Sequence, residues 1–438
     1  MATGMGEDRY LTAREAAGEL GISTATLYAY VSRGLIRSEA TGGKRRDRRY
    51  RAEDVSRLRE RKEQRRDPAR VARSALDWGT PVMESAITLI ADGRVYYRGR
   101  DAVDLSGSCS LEQVAELIWT GAMSQGSRER PPELFRALAG EPIAPDSPRV
   151  VGEEIRKRIW TDTFAMALHG AAAEDPAAYD LRPAAVARSG ARILRLLAAS
   201  AVGDAPDAGD TVARILQRRW VPRDTRAAGP IDRALVLCAD HELNVSSFTA
   251  RCVASAGATP YAVVVAGLAA LGGVKHGGNT ERVEAFLDEV EAADDPEGAV
   301  AARLRRGEAV PGFGHPLYPD GDPRAEALLA VLAKAFPRSA ARQQAAEAAE
   351  AVGDLMDERT NVDFALVALA RTLRLPPGAA LALFALGRTV GWVGHAIEQY
   401  QADIILRPRA LYVGEQPSPR ACDDTRPETD TCGQNLSG

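Results

Sequence analysis

The chain has only five histidines in 438 residues, and three of them fall between His241 and His315 in distinctive settings. The run HELN puts His241 and Asn244 at i and i+3, a spacing that predicts one face of a helix. The run VKHGGN sets His276 beside two glycines, where a backbone can come close to a ligand and a helix can begin. The run PGFGHPLYPDGDPR holds His315 in a loop stiffened by prolines and opened by glycines. A lone histidine is by default a satisfied structural residue. Three in such loops, followed by a single acid in the apolar run NVDFALVAL (Asp363), point instead to proton transfer. The chemistry would combine a carboxylate base with imidazoles that donate or accept near neutral pH.

These residues must be positioned by helices. From about Ser74 onward the pattern is mostly helical, with long Ala/Leu-rich stretches broken by Pro/Gly/Asp-rich loops at 140–149, 202–210 and 221–230. The exception is Ser85 to Gly99, where alternating residues flank Asp92-Gly93, a strong hairpin signal. No repeat of 20–50 residues is present. The last 24 residues, rich in Pro, Thr, Asp and Ser, are expected to form a disordered tail in which Cys422 and Cys432 are incidental. Five scattered cysteines without a CxxC argue against a disulfide framework and against zinc, so no metal site is expected. The longest apolar stretch, Ala262 to Val274, has 13 residues including three glycines, against the ~20 a membrane span needs. No signal pattern opens the chain, so a cytoplasmic location without membrane contact is expected.

Composition is that of an ordinary globular protein, and the length suggests two or three domains. The formal net charge of −4 conceals an asymmetry. Residues 1–73 hold 18 Lys+Arg and 11 Asp+Glu, a net of +7, which leaves −11 for the rest. A basic segment joined to an acidic body suggests a nucleic-acid-binding module. Within it, TAREAAGELGISTATLYAYVSRGL suits two short helices turning at Gly21, the second capped by Ser23 or Thr24. That second helix would expose Thr24, Ala25, Tyr28 and Arg33. A hairpin around Gly42-Gly43 would carry Lys44, Arg45, Arg46, Arg48 and Arg49 at its tip, and a third helix would run from about Ala52 to Arg66. Over about 60 residues this order resembles the winged helix-turn-helix of MerR-type regulators. The resemblance implies groove contacts from Thr24, Tyr28, Arg33, Arg45, Arg48 and Arg49, with DNA as a partner of residues 1–66. The bland alternative is a solvated basic surface that contacts protein. The long dimerisation helix usual after such a module is not evident.

The acidic remainder resembles citrate synthase. The matching runs are YYRG (Tyr96 to Gly99), HELNVSSFTARCVAS (His241 to Ser255), KHGGN (Lys275 to Asn279), PGFGHPLYPDGDPRA (Pro311 to Ala325), NVDFALVAL (Asn361 to Leu369), GRTVGWVGHAIEQ (Gly387 to Gln399) and RPRALYVG (Arg407 to Gly414). They occur in the family's order over about 340 residues. The resemblance implies an all-α, two-domain fold with a small N-terminal β-hairpin. Its large domain would span 67–273 and 377–414, and its small domain 274–376, after a helix-turn-helix module over 1–66. The implied reaction joins the methyl of acetyl-CoA to the ketone of oxaloacetate, with hydrolysis of the citryl thioester and no cofactor beyond the substrates. Asp363 is the implied base, His276 the donor to the thioester oxygen, and His315 the group that polarises the ketone. His241, Asn244, Arg324, Arg388 and Arg407 are the implied substrate contacts. Arg407, or less favourably Arg409, would reach into the neighbouring site of a homodimer. Two departures stand out. Pro316-Leu317-Tyr318-Pro319 replaces the family's Arg-Val-Tyr-Lys, removing two cations from the expected CoA path, and Val274-Lys275 replaces an apolar or Pro-Leu pair. Alternatives to acetyl transfer are a 2-methylcitrate synthase using propionyl-CoA, a regulator whose synthase-like part senses metabolites, and cleavage of citrate or citryl-CoA.

Overall fold

The computed structural model describes residues 10–32, 35–40, 48–52, 54–55, 83–138, 160–204 and 209–416. It divides into two compact units, Met1–Glu84 and Ser85–Gly438.

In the first unit β1 (Tyr10–Leu11) leads into α1 (Ala13–Leu20) and α2 (Thr24–Ser32). Thr12 and Glu15 form a capping box at the start of α1, and Gly21 ends it with φ +56°. The Ser23 hydroxyl accepts the Thr26 N–H and opens α2. β2 (Ser38–Ala40) and β3 (Arg48–Arg51) pair antiparallel, and the sheet order is β1-β3-β2. Leu11, Ala16, Leu20, Leu27, Ile36, Tyr50 and Val55 form the small core. Thr24, Ala25 and Tyr28 are exposed, as expected. One expectation needs correcting: Arg48 and Arg49 lie within strand β3, paired with Ala40 and Glu39, because the strand begins before the basic run ends. The hairpin tip with Arg45, and also Arg33, lie outside the described residues. Of the third helix only Ala52, Asp54 and Val55 are described, and they are helical.

The second unit opens with the hairpin β4 (Thr88–Ala91) and β5 (Arg94–Tyr97), extended by a two-residue β6 (Arg100–Asp101). Asp92 and Gly93 both take positive φ, at 50° and 69°, as a tight two-residue turn of this hand requires. Helices follow: α3 (Ala102–Ser108), α4 (Leu111–Thr120), α5 (Glu133–Arg136), α6 (Trp160–Glu174), α7 (Pro183–Val202), α8 (Val212–Trp220), α9 (Ala228–Leu237), α10 (Val245–Ser255) and α11 (Pro260–Leu271). After them come α12 (Asn279–Ala293), α13 (Pro296–Arg305), α14 (Pro323–Ala335), α15 (Ala340–Met356), α16 (Val362–Leu373) and α17 (Ala379–Ala402). The expected loop over 221–230 is shorter than that, since Thr225–Ala227 already turns as a 3-10 helix and α9 starts at Ala228.

Helix α17 organises this unit. It packs against α4, α7, α9, α10 and α11 and is buried along nearly all its length. By length and composition it could cross a membrane. Its whole apolar window is nevertheless buried inside the protein, the signature of a core helix. Gly391 makes the packing possible: a Cβ there would meet Asp240 Oδ1 at 2.3 Å and the Ala239 carbonyl at 2.5 Å. This close crossing brings the middle of α17 against the end of α9. The Tyr97 hydroxyl lies 3.2 Å from the carbonyls of Val236, Leu237 and Asp240, tying the hairpin to the same point.

Candidate active site

The candidate residues converge from the loops at helix ends. His241 and Asn244 do not share a helical face, contrary to the i, i+3 expectation. They lie in the connection between α9 and α10, where Glu242 takes φ +53°. Asn244 is the N-cap of α10, and its Oδ1 accepts from the Ser247 N–H at 3.0 Å and from the Ser246 hydroxyl at 2.9 Å. His241 is buried, with Nε2 2.7 Å from the Tyr318 hydroxyl.

His276 occupies the tight turn between α11 and α12. Gly277 is required beside it, since a Cβ there would fall 2.6 Å from the Leu271 carbonyl. His276 Nε2 lies 2.9 Å from Ser246 Oγ, and its ring stands edge-on to Phe384 at 5.9 Å. His315 sits in the loop before α14, where Gly312 and Gly314 take positive φ of 91° and 69°. The Leu317 N–H donates to His315 Nδ1 at 3.1 Å, so in the neutral ring the proton resides on Nε2, which can then donate. The ring meets those of His241 at 5.3 Å and Tyr318 at 4.9 Å. Asp363 is the second residue of α16, two after the N-cap Asn361, and its Oδ2 accepts from Asn279 Nδ2 at 2.7 Å.

The two buried arginines are not equivalent. Arg324 is held by Asp322 through Nε at 2.9 Å and a terminal nitrogen at 2.8 Å, a bidentate pair that also receives the Val362 N–H. Arg388, fully buried on α17, gives its Nε to the Cys238 carbonyl at 2.9 Å and lies 4.8 Å over the Phe384 ring. Among the described residues neither of its terminal nitrogens has a hydrogen-bond partner. A buried guanidinium in that state costs free energy until an anion meets it.

The electrostatics follow from burial. Burial, helped by the Arg388 charge, pulls His276 down to about 4, and burial with Arg324 does the same to His315. His241 is pushed well below the usual histidine range by burial and by Arg324 and Arg388. Burial raises Asp363, and the Asn279 hydrogen bond only partly opposes it. Burial would raise Asp322 too, but the Arg324 guanidinium outweighs it and holds that carboxyl low. The cluster therefore presents neutral imidazoles, a carboxylate of raised basicity and an anion-ready cation. One consequence is measurable: in the unliganded protein the ring resonances of His276 and His315 stay at neutral positions down to about pH 5.5 and move only toward pH 4. A midpoint near 6.5 for either would contradict this electrostatic picture.

The structure thus brings together His241, His276, His315, Asp363, Arg324 and Arg388, with Asn244 linked through Ser246. Arg407 is exposed on the extended segment after α17, as is Arg409, and neither shares a hydrogen bond or ion pair with the cluster among the described residues. Sequence reasoning missed Ser246, Tyr318 and Phe384. Only Tyr318 left a signal, as the i+3 residue of a Pro-rich turn whose Tyr318 N–H bonds the His315 carbonyl at 3.0 Å.

Two family models match the chain, one over each unit's sequence. The family described as "Citrate synthase, C-terminal domain" matches residues 75–409, and "MerR HTH family regulatory protein" matches residues 11–67. The chain is 31% identical over 362 residues to a citrate synthase of Haloferax volcanii, covering 77% of this chain and 95% of that protein. It is 28% identical over 352 residues to 2-methylcitrate synthase 2 of Corynebacterium glutamicum, covering 73% and 88%. A protein of Mycobacterium tuberculosis with the provisional name citrate synthase 2 is 38% identical over 227 residues, and there the chain spans 60% of the relative's length. The crystal structure of citrate synthase from Thermotoga maritima superposes with a TM-score of 0.65 at 25% identity, over 80% of this chain and 98% of that one.

Proposed function

Because the chain belongs to the citrate synthase family, we propose that it condenses an acyl-CoA, acetyl-CoA in the first instance, with oxaloacetate to give citrate and free CoA. The observation that carries this reading is Arg388, a fully buried guanidinium whose terminal nitrogens have no partner, beside neutral histidines and a raised carboxylate. That arrangement suits a dicarboxylate substrate, because a guanidinium fork binds carboxylate in bidentate fashion.

The residues divide the work as follows. Asp363 removes a proton from the methyl carbon of the thioester. His276 donates a hydrogen bond to the thioester oxygen as the enol forms, a contribution of order 10²–10³ in rate for one such donor. For His276 to donate from Nδ1, the Ser246 hydroxyl must turn from Asn244 toward Nε2, which lies 2.9 Å away. The enol carbon attacks the ketone of oxaloacetate, and His315 passes its Nε2 proton to the alkoxide. Water then cleaves the citryl thioester. His241 and Arg324 line the oxaloacetate side, and Asn244 supports it through Ser246. Arg407 completes the site of a second copy in a homodimer, in keeping with the open apolar side chains around it: Ile404, Ile405, Leu411, Tyr412 and Val413. The domain division follows the family, with α12 to α16 forming the smaller domain that closes over substrate.

Propionyl-CoA is the runner-up acyl donor, since one methylene of pocket volume separates the two by only ~1–3 kcal/mol. Thiol release with oxaloacetate and either acyl-CoA decides between them through the ratio of kcat/KM. No turnover with either, while oxaloacetate still raises the Tm, would replace the synthase reading by that of a metabolite sensor.

The sensor reading draws on the basic front end. There Thr24, Tyr28, Arg48 and Arg49 are exposed, and Arg33 and Arg45 complete the proposed DNA-binding set. Binding to promoter DNA should weaken steeply with salt, because each phosphate contact releases a counterion. A flat response from 50 to 200 mM salt would assign residues 1–66 to protein contacts.

A further inference from the structure

Outside the substrate cluster, a cavity of about 500 Å³ opens beside α9 and α14. Four cations line it: Arg128, Arg226, Arg233 and Lys334, with Pro230 and Val331 among the apolar groups between them. Two carboxylates offset part of that charge. Asp232 accepts from Arg128 at 2.9 Å, and Asp224 holds Arg226 in a bidentate pair at 2.9 and 2.6 Å. Arg233, half-buried, makes a long 3.5 Å contact to the Ala327 carbonyl as its one hydrogen bond among the described residues, and Lys334 is exposed. Burial and the neighbouring Arg128 both pull the Arg233 pKa down, so its charge is held at an energetic cost. Arg128 also donates to the Gly107 carbonyl at 2.8 Å and Arg226 lies 5.1 Å over the Phe336 ring, but four cations against two carboxylates still leave an excess of positive charge at the cavity.

We propose that this cavity binds an anion carrying two or more phosphate groups and that the bound anion slows turnover by tying α9 to α14. Arg233 lies on α9 and Lys334 on α14, so one polyanion between them bridges both helices. Each of these helices also leads into the substrate site. The first turn of α14 carries Arg324, paired with Asp322, and α9 ends at Cys238, whose carbonyl holds Arg388. About 15 Å of helix separates Lys334 from Arg324, at roughly 1.5 Å per residue. An anion that fixes the spacing of α9 and α14 therefore fixes the spacing of the two substrate arginines. It holds the arrangement in which Arg388 is fully buried, and oxaloacetate must enter and citrate leave by opening it. The binding itself is independent of the reaction assigned to the site, whereas the effect on turnover rests on the proposed synthase activity.

The test uses the full-length chain with inorganic pyrophosphate as probe. Calorimetry should show binding to the wild type and about tenfold or greater weakening in Lys334→Gln and in the double variant Arg233→Gln/Lys334→Gln. Arg233→Lys, which keeps the charge, should retain most of the affinity. Lys334→Gln alters an exposed side chain, so it reports even if the Arg233 variants fold poorly. In the turnover assay pyrophosphate should lower kcat of the wild type at saturating acyl-CoA, and Lys334→Gln should escape this while its basal rate stays within about twofold. No binding to the wild type, or equal binding to Lys334→Gln, overturns the site. Inhibition that is relieved by excess acyl-CoA and persists in the variant places the anion on the CoA path, which also overturns it. Binding that leaves turnover unchanged overturns the regulatory half alone.

Discussion

Replacing Asp363 by asparagine should lower kcat by about three orders of magnitude while leaving oxaloacetate affinity within about twofold. The magnitude is the middle of the range for a positioned base, typically ~10²–10⁴. Asparagine keeps the size of the side chain and can keep the contact to Asn279 Nδ2, now 2.7 Å from the carboxylate, so the loop and α16 stay in place. It cannot take the proton. The pH dependence has a definite sign. The base works in its ionised form, and burial raises its pKa, so wild-type activity falls as pH is lowered and does so above the ordinary carboxylate range. Steady-state kinetics with calorimetry of oxaloacetate binding check both parts. Retained turnover in the variant would remove Asp363 from its role.

Arg388→Met should raise KM for oxaloacetate by at least about thirtyfold without lowering the Tm of the free protein. Removing one member of a buried, hydrogen-bonded charge pair costs roughly 2–5 kcal/mol, which is thirtyfold to several thousandfold in affinity. The free protein behaves differently, because its Arg388 terminal nitrogens are buried and unpartnered. Methionine is apolar and flexible enough to fill the space against Phe384, so it removes that burden. Arg324→Met, by contrast, should destabilise the fold, since it strands Asp322, whose carboxylate is engaged by Arg324 and by the Val362 N–H. A large fall in Tm for Arg388→Met with unchanged KM would make Arg388 a structural residue.

These expectations rest on groups whose visibility in the sequence differed. His276, His315 and Asp363 stand out because each is embedded in a local signature: glycines that let the chain turn tightly, or a single acid in an apolar run. The Asp92-Gly93 hairpin was legible for the same reason, its turn being dictated by two adjacent residues. The HELN run has helical spacing without a helix, because α9 has already ended at Leu237, Glu242 takes a positive φ and Asn244 caps the helix that follows. Arg48 and Arg49 were assigned to a tip because a charge run does not mark where pairing with β2 begins. Ser246 and Phe384 owe their place to contacts with His276 across the fold, and no local pattern announces them, whereas Tyr318 is marked only by its place in the Pro-rich turn after His315. The cations of the α9–α14 cavity come from separate segments and meet only after α14 packs on α9.

The central claim is that the cluster joins a thioester methyl carbon to the ketone of oxaloacetate. Incubation with acetyl-CoA labelled with carbon-13 at the methyl position, followed by carbon NMR, tests this most directly. The label should move from a thioester methyl to a methylene of citrate, at a rate that Asp363→Asn reduces about a thousandfold. A label that remains in the methyl group while oxaloacetate is demonstrably bound would contradict it.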